Sequence, residues 1–220
     1  TNGLDYRKIN DACKGLLDNC PKAFFEIQVS IDGTEEIHDK IRGVKSSFNN
    51  ALKTLELLKG LENNHLSFCI LTTISKYNHK DIPKLIKNYT IPLGFKHFFS
   101  IVRGNNYGTY IVPKDITAGF NPREEAVIRL SLNNLQKIYS SIKELNKHSK
   151  KPFLIKQHQL YLKYSIETIA NKGNGMKCYA GIKDAVIYPN GDVALCELTK
   201  PIGSLRDFNY NFSKLWLSEQ

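Results

Sequence analysis

The stretch Phe24 to Gly43, FFEIQVSIDGTEEIHDKIRG, constrains this chain most. Its first half alternates as a strand does. Phe25, Ile27, Val29 and Ile31 point to one face, and Glu26, Gln28, Ser30 and Asp32 to the other, because successive strand side chains leave on opposite sides. The apolar face must pack on helices. The polar face cannot be ordinary core, since four polar side chains buried without partners are costly. It either meets bulk water or lines a wet cavity that takes a polar ligand. The strand ends at Asp32-Gly33, and we read His38 to Gly43 as a charged loop. In parallel α/β sheets and barrels, ligands sit outside the carboxyl ends of strands, so this strand end is the candidate site.

Strands and helices alternate through the first hundred residues. Asp5–Leu17 suits a helix with Ile9, Cys13, Leu16 and Leu17 on one face. After the Phe24 strand, Ser46 or Ser47 can cap a helix carrying Phe48, Ala51, Leu52, Leu55 and Leu58. Leu66–Ile74 reads as a second strand, and Asn78 is expected to cap a third helix to about Tyr89. His97–Val102 is a third strand, followed by Arg103-Gly104. Such alternation predicts an α/β fold with a parallel sheet or barrel. The strands end in polar or charged residues, Asp32, Thr73 and Arg103, which suits a ligand site better than a purely structural sheet.

Residues 104–120 read as a loop. Asn121, Pro122 and Glu124 form a helix-start signal, and the helix is expected to run to about His148 with Val127, Ile128, Leu135, Ile138, Ile142 and Leu145 inward. Pro152 breaks it, and another helix covers about Leu154–Asn171, with His158 read as a packed or surface side chain. The tail changes character. Asn190-Gly191 between apolar runs is a hairpin signal. As a two-residue turn it sets Cys196 opposite Ala185, at the open end where Cys178 also lies. Pro201-Ile202-Gly203 reads as a turn, and Phe212, Leu215 and Trp216 as a short closing helix.

Composition narrows the partners. Hydrophobic residues make up 41% of 220, enough for a packed core, and no run long enough to span a bilayer is present. Net charge is +10, but only 6 of the 31 basic residues are Arg. Arg is the residue suited to bidentate phosphate contacts, and the Lys are spread along helices, so the excess reads as a solvated surface rather than a nucleic-acid site. None of the five Cys forms a C-x2-C pair. Cys13 reads as a core-facing thiol and Cys20 as a loop thiol. No secretory signal is recognisable at the start, so a cytoplasmic, reducing setting without disulfides is expected.

The block SIDG followed by HDKIRG resembles the fourth barrel strand and following loop of radical S-adenosylmethionine (SAM) enzymes. Thr1-Asn2-Gly3 is similar to the end of that family's third strand, TTISKYN to its fifth and SIVRG to its sixth. Cys178, twelve residues, Gly191, four residues, Cys196, followed by IGSLRDFNYNFSKLW, resembles the opening of the family's SPASM or twitch extension, which carries auxiliary iron–sulfur clusters. The resemblance implies the later part of a partial (β/α)6 TIM-like barrel over 1–120, connecting helices over 121–172, and the start of a small β-hairpin module over 173–220. The family's C-x3-C-x2-C loop, which holds the catalytic [4Fe–4S] cluster, does not occur here, so an internal fragment is expected. Further module cysteines are expected beyond Gln220.

What the resemblance implies for the site is specific. Ser30 would hydrogen-bond the ribose or methionine part of SAM, and Asp32 the ribose hydroxyls or the α-ammonium. Arg42 would pair with the methionine carboxylate. Asn2, Thr73 and Arg103 would complete the cavity, and Cys178 and Cys196 would ligate an auxiliary cluster. No catalytic side chain is assigned. The implied partners are SAM, a reductant such as flavodoxin or ferredoxin, and a peptide, protein or small-molecule substrate, with no membrane. Two other readings stand beside this one: a non-catalytic iron–sulfur or scaffold protein of the same fold, and a basic nucleic-acid-binding domain.

Overall fold

The computed structural model describes residues 1–102, 130–145, 147, 152–170, 179–197 and 199–218. They fall into two compact units: Thr1–Val102 with Ile128–Gly173, and Arg103–Val127 with Asn174–Gln220.

The first unit is built on three parallel strands in the order β1-β2-β3: β1 Phe25–Ser30, β2 Leu66–Ile74 and β3 His97–Ile101. The Thr1 amine donates to Gln28 O at 2.7 Å, and Ser30 N–H donates to Thr1 O at 2.9 Å. That pair of bonds is the pattern of a parallel ladder, so the segment before Gly3 runs beside the far edge of β1. Gly3 then turns away with φ +72, and a Cβ there would stand 2.8 Å from Ala51 Cα. Only glycine fits both the left-handed backbone and the contact.

Helices cover one face of the sheet. Helix α1 (Tyr6–Asn19) starts at Asp5, whose carboxylate accepts from Lys8 N–H at 3.0 Å. Helix α3 (Ser47–Leu61) supplies Phe48, Ala51, Leu55 and Leu58 to a core with Val29, Ile31, Phe68, Ile70 and Cys13. The apolar face of β1 thus packs as its alternation requires. The other face divides: Glu26 and Gln28 are exposed, Ser30 is half-buried, and Asp32 is 5% exposed.

Several elements differ from the sequence reading. The charged loop after β1 is a helix, α2 (Glu35–Arg42), with Glu35 and Glu36 in its first turn, Lys40 and Arg42 in its last, and Gly43 closing it at φ +65. These charges complement the helix dipole at each end. Ser46 precedes α3 at φ +63, but neither Ser46 nor Ser47 caps it with a side-chain bond to the helix backbone. Asp39 of α2 does so instead, accepting from Ser46 N–H at 2.6 Å, Phe48 N–H at 2.9 Å and Ser47 Oγ at 2.8 Å. Nor does Asn78 cap the next helix. Its Oδ1 accepts from Ser75 N–H at 2.8 Å and its Nδ2 donates to Thr73 O at 2.8 Å, which binds the loop to the end of β2. Helix α4 (Ile82–Leu85) passes through a π-turn, Ile86–Thr90, into α5 (Ile91–Leu93). Ile91 N–H reaches back five residues to Ile86 O, beside Pro92, whose nitrogen has no proton to give.

Helix α6 (Leu132–Leu145) begins after non-helical Leu130 and Ser131, so the single helix expected from Asn121 to His148 is broken there; Asn121 to Arg129 lie outside the described residues. Ser131 Oγ accepts from Asn134 N–H at 3.3 Å as its cap. Helix α7 (Pro152–Ile169) starts on its proline. Leu135, Ile138 and Ile142 of α6 and Leu162 and Ile166 of α7 form a second core with Ile74, Ile82, Ile86 and Phe99.

In the second unit, β4 (Val186–Ile187), β5 (Asp192–Ala194) and β6 (Pro201–Ser204) make an antiparallel sheet in that order. The hairpin register is one residue off the expected one. Gly191 N–H donates to Tyr188 O at 2.9 Å and Tyr188 N–H to Asp192 O at 2.8 Å, so Pro189-Asn190-Gly191 is a three-residue loop with Gly191 at φ +93. Val186 therefore faces Ala194, and Ala185 falls level with Leu195 rather than Cys196. Pro201-Ile202-Gly203 is not a turn but most of edge strand β6, where the missing proline donor is tolerated. Helix α8 (Phe212–Trp216) forms as expected, buries Leu215 against Gly203 and stacks Phe212 on Trp216.

A hydrogen-bond chain crosses the first sheet. Thr72 Oγ donates to Ile31 O, so it accepts from His97 Nε2 at 2.7 Å, and His97 Nδ1 accepts from Thr90 Oγ at 2.8 Å. Burial pushes the His97 pKa down to about 3, so the ring is neutral and Nδ1 is the acceptor; a protonated ring would instead donate to the Thr90 hydroxyl. An unfolded histidine titrates near 6.5. The stability from the neutral ring is therefore complete above about pH 6.5 and falls with pH, by about 1.4 kcal/mol per unit for one proton, until about 3. The expected outcome is a urea midpoint that drops between pH 7 and 5 in the wild type and drops less steeply, by one proton, in His97→Leu. Equal slopes would remove His97 as the source.

Candidate functional site

The carboxyl ends of β1 and β2 meet at Asp32. In the β1–β2 register Ser30 lies opposite Leu71, so the residue two further on, Asp32, comes level with Thr73, and Thr73 faces Ser100 of β3. Thr73 N–H donates to Asp32 Oδ1 at 3.1 Å, and the Thr73 and Ser100 hydroxyls lie 3.2 Å apart. Asp32 Oδ2 is 2.7 Å from Arg42 Nη2, with the Asp32 side chain 7% exposed and that of Arg42 30% exposed.

Helix α2 delivers Arg42 to this point. Its N-terminus is held by Asp81, whose Oδ2 accepts from Thr34 N–H at 2.5 Å and from Thr34 Oγ at 2.9 Å. Gly33 makes room, since a Cβ there would stand 2.7 Å from Ile37 Cγ2 and 2.9 Å from that carboxylate oxygen. One turn before Arg42, fully buried His38 accepts Asp32 N–H on its Nδ1 at 3.0 Å. Burial pushes its pKa down, Asp32 opposes that and Arg42 adds to it, so the ring is neutral. Arg42 Nε and His38 Nε2 are buried and have no hydrogen-bond partner among the described residues.

The sequence-derived residues sort clearly. Asp32 is in direct contact with both Arg42 and Thr73. Ser30 stands on the same strand face one step before Asp32, half-buried. Asn2 is exposed, and its Oδ1 accepts from Leu4 N–H at 3.1 Å rather than reaching Asp32. Arg103 and Cys178 lie outside the described residues. Cys196 is half-buried, in a turn where Thr199 Oγ accepts its N–H at 3.1 Å. Among the described residues no three His, Cys, Asp or Glu side chains are grouped as metal ligands. Asp39 and Arg42 do not pair with each other: Arg42 meets the Asp32 carboxylate, and Asp39 holds the start of α3. Sequence reasoning assigns no role to His38, Asp81 or Thr34. The i, i+4 spacing of His38 and Arg42 is the available signal, once the segment is read as helix.

The donors on Asp39 outweigh its burial and hold its carboxyl below the usual carboxylate range. Asp39→Ala should lower stability by about 1–2 kcal/mol, the cost of losing a helix N-cap, with a smaller loss in Asp39→Asn, which keeps one acceptor. Urea denaturation measures both. A midpoint unchanged in Asp39→Ala would show that α3 starts without it.

No family model matches the chain, and no curated protein does. Solved structures do. Native anSMEcpe with bound AdoMet matches at a TM-score of 0.54 and 17% identity, over 100% of this chain and 55% of that one. Native anSMEcpe with bound AdoMet and the Kp18Cys peptide matches at 0.51 and 18%, over 96% and 54%. A histidine-tagged form of anSMEcpe with bound AdoMet matches at 0.52 and 18%, over 96% and 51%. The chain thus spans about half the length of these structures, and it shares their α/β fold.

Proposed function

We propose that this chain is the SAM-binding part of a radical SAM enzyme, with Arg42 as its anchor for the methionine carboxylate. The observation that carries this reading is the state of the Arg42 guanidinium. One nitrogen is held by Asp32, Nε is buried without an acceptor among the described residues, and the side chain keeps 30% of its surface open. A planar fork with unmet donors suits a carboxylate. Likeness in fold to AdoMet-bound structures supports the same choice of ligand.

In this reading Asp32 acts through Arg42. Each of its oxygens already accepts one hydrogen bond, and the remaining lone pairs are available to a ribose hydroxyl or the α-ammonium. Ser30, one step before it on the same face, is the nearer candidate for the ribose or methionine part. Thr73 fixes the Asp32 carboxylate through its main chain. Asn2 and Arg103 remain candidates for the rim of the cavity. Arg42, Asp32 and Ser30 would hold SAM, which, next to a reduced [4Fe–4S] cluster, would supply the radical chemistry of hydrogen abstraction. The residues here bind and orient SAM; a flavodoxin or ferredoxin is the class of reductant proposed. Among possible substrates a peptide is preferred, because anSMEcpe is also seen with Kp18Cys and Cp18Cys peptides. No helix among the described residues is long and apolar enough to cross a membrane. The second unit is proposed to begin a SPASM or twitch module, with Cys178 and Cys196 ligating an auxiliary iron–sulfur cluster.

Two measurements on the full-length protein test this. Arg42→Ala and Asp32→Ala should each weaken equilibrium SAM binding by about 1.5–3 kcal/mol, the range for a hydrogen bond to a charged group. Wild-type affinity in both returns the pair to a structural role. Separately, Cys178→Ala and Cys196→Ala should each lower the iron content per chain. Iron unchanged in both makes them structural thiols.

A further inference from the structure

His38 takes no part in the site as read from sequence, yet it is a fully enclosed polar side chain beside it. It is fully buried on α2, with the Phe48 ring edge-on at 6.0 Å and 63°. The main-chain N–H of Asp32 can only donate, so Nδ1 must be the acceptor and the ring proton must sit on Nε2. The bond fixes the backbone of the residue whose side chain divides between Thr73 N–H and Arg42. His38 and Arg42 are four residues apart on one helix and therefore neighbours on one face. Arg42 thus reaches Asp32 with its tip while His38 holds Asp32 from the same helix. The two contacts form a closed ring: Asp32 main chain, His38, one turn of α2, Arg42, Asp32 carboxylate.

We propose that His38 is a positioning residue for the SAM carboxylate: by accepting Asp32 N–H on Nδ1 it sets the Asp32–Arg42 geometry and so aims the free donors of Arg42. This rests on the reading of Arg42 given above. A side chain that only filled space would be replaced adequately by any group of similar size. A positioning acceptor must be replaced by another acceptor at the same place. Asparagine carries an oxygen near the position of Nδ1, whereas the longer glutamine carries its amide near Nε2.

The test measures SAM dissociation constants for the full-length wild type, His38→Asn, His38→Gln, His38→Leu and Arg42→Ala, with urea denaturation of each alongside. The ring nitrogens of His38 are also followed by 15N NMR in the wild type. The expected result is an unprotonated Nδ1 with the proton on Nε2. His38→Asn should bind SAM within about threefold of wild type, and His38→Gln and His38→Leu about tenfold more weakly, the factor set by about 1.4 kcal/mol. Should His38→Leu fail to fold, the contrast between asparagine and glutamine still decides. Rescue by glutamine instead of asparagine, equal affinities in all three His38 variants, or a proton on Nδ1 overturns the proposal. SAM bound through Arg42 but indifferent to His38 sinks this inference alone. A wild-type protein that binds no SAM removes the parent reading as well.

Discussion

The pair between Asp32 and Arg42 is the contact around which the first unit is arranged. A carboxylate 7% exposed needs a partner, and the partner sits at the far end of the helix that begins shortly after it. Supplying it requires a tight exit from β1, an α2 of fixed length and an anchored start. Gly33 gives the first, Gly43 closes the second, and Asp81 provides the third through Thr34. Four residues of the HDKIRG block then have a physical task each. His38 holds the Asp32 main chain, Asp39 caps α3, Arg42 meets the Asp32 carboxylate, and Gly43 ends the helix.

Two histidines, His38 fully buried and His97 half-buried, show how the same chemistry is settled differently. His97 has both nitrogens satisfied, between the hydroxyls of Thr72 and Thr90. His38 has one nitrogen satisfied and one buried without a partner among the described residues. A buried polar atom without a partner costs about 1–3 kcal/mol, and such costs concentrate where a fold serves a ligand rather than itself. The completed chain at His97 lies in the sheet, whereas the incomplete one at His38 lies at the strand end, beside Arg42.

Much of the first unit is legible in the sequence because long periodic segments report their own burial. Leu66–Ile74 is bounded to the residue, since nine residues of β-branched and apolar character leave little choice. The segment at Thr1 is placed by resemblance, and its bonds to Gln28 and Ser30 agree with it. Helix α2 escapes a reading by periodicity because its eight residues hold only Ile37 and Ile41 as apolar signal, against five charged side chains and a histidine. The hairpin register differs by one because Pro189 suits the first central position of a turn, which moves Gly191 to the left-handed position behind it. The Asp32–Arg42 contact is hidden by Asp39, which is nearer to Arg42 in sequence but occupied at another helix. Contacts that span 41 or 47 residues, Thr73 to Asp32 and Thr34 to Asp81, leave no local pattern.

Those two long-range bonds join consecutive strand–helix units of the sheet, and in both a carboxylate of one unit accepts from the main chain of the other. Architectures of this kind are often treated as a set of exchangeable loops on a constant frame. Here the corner after β1 is written partly in the loop after β2, since Asp81 has its carboxylate inside its neighbour's territory. Transplanting residues 32–43 into a related frame would leave Thr34 without its acceptor unless the recipient carries an aspartate at the matching place. The unit of inheritance, and of engineering, is therefore a pair of adjacent loops rather than one.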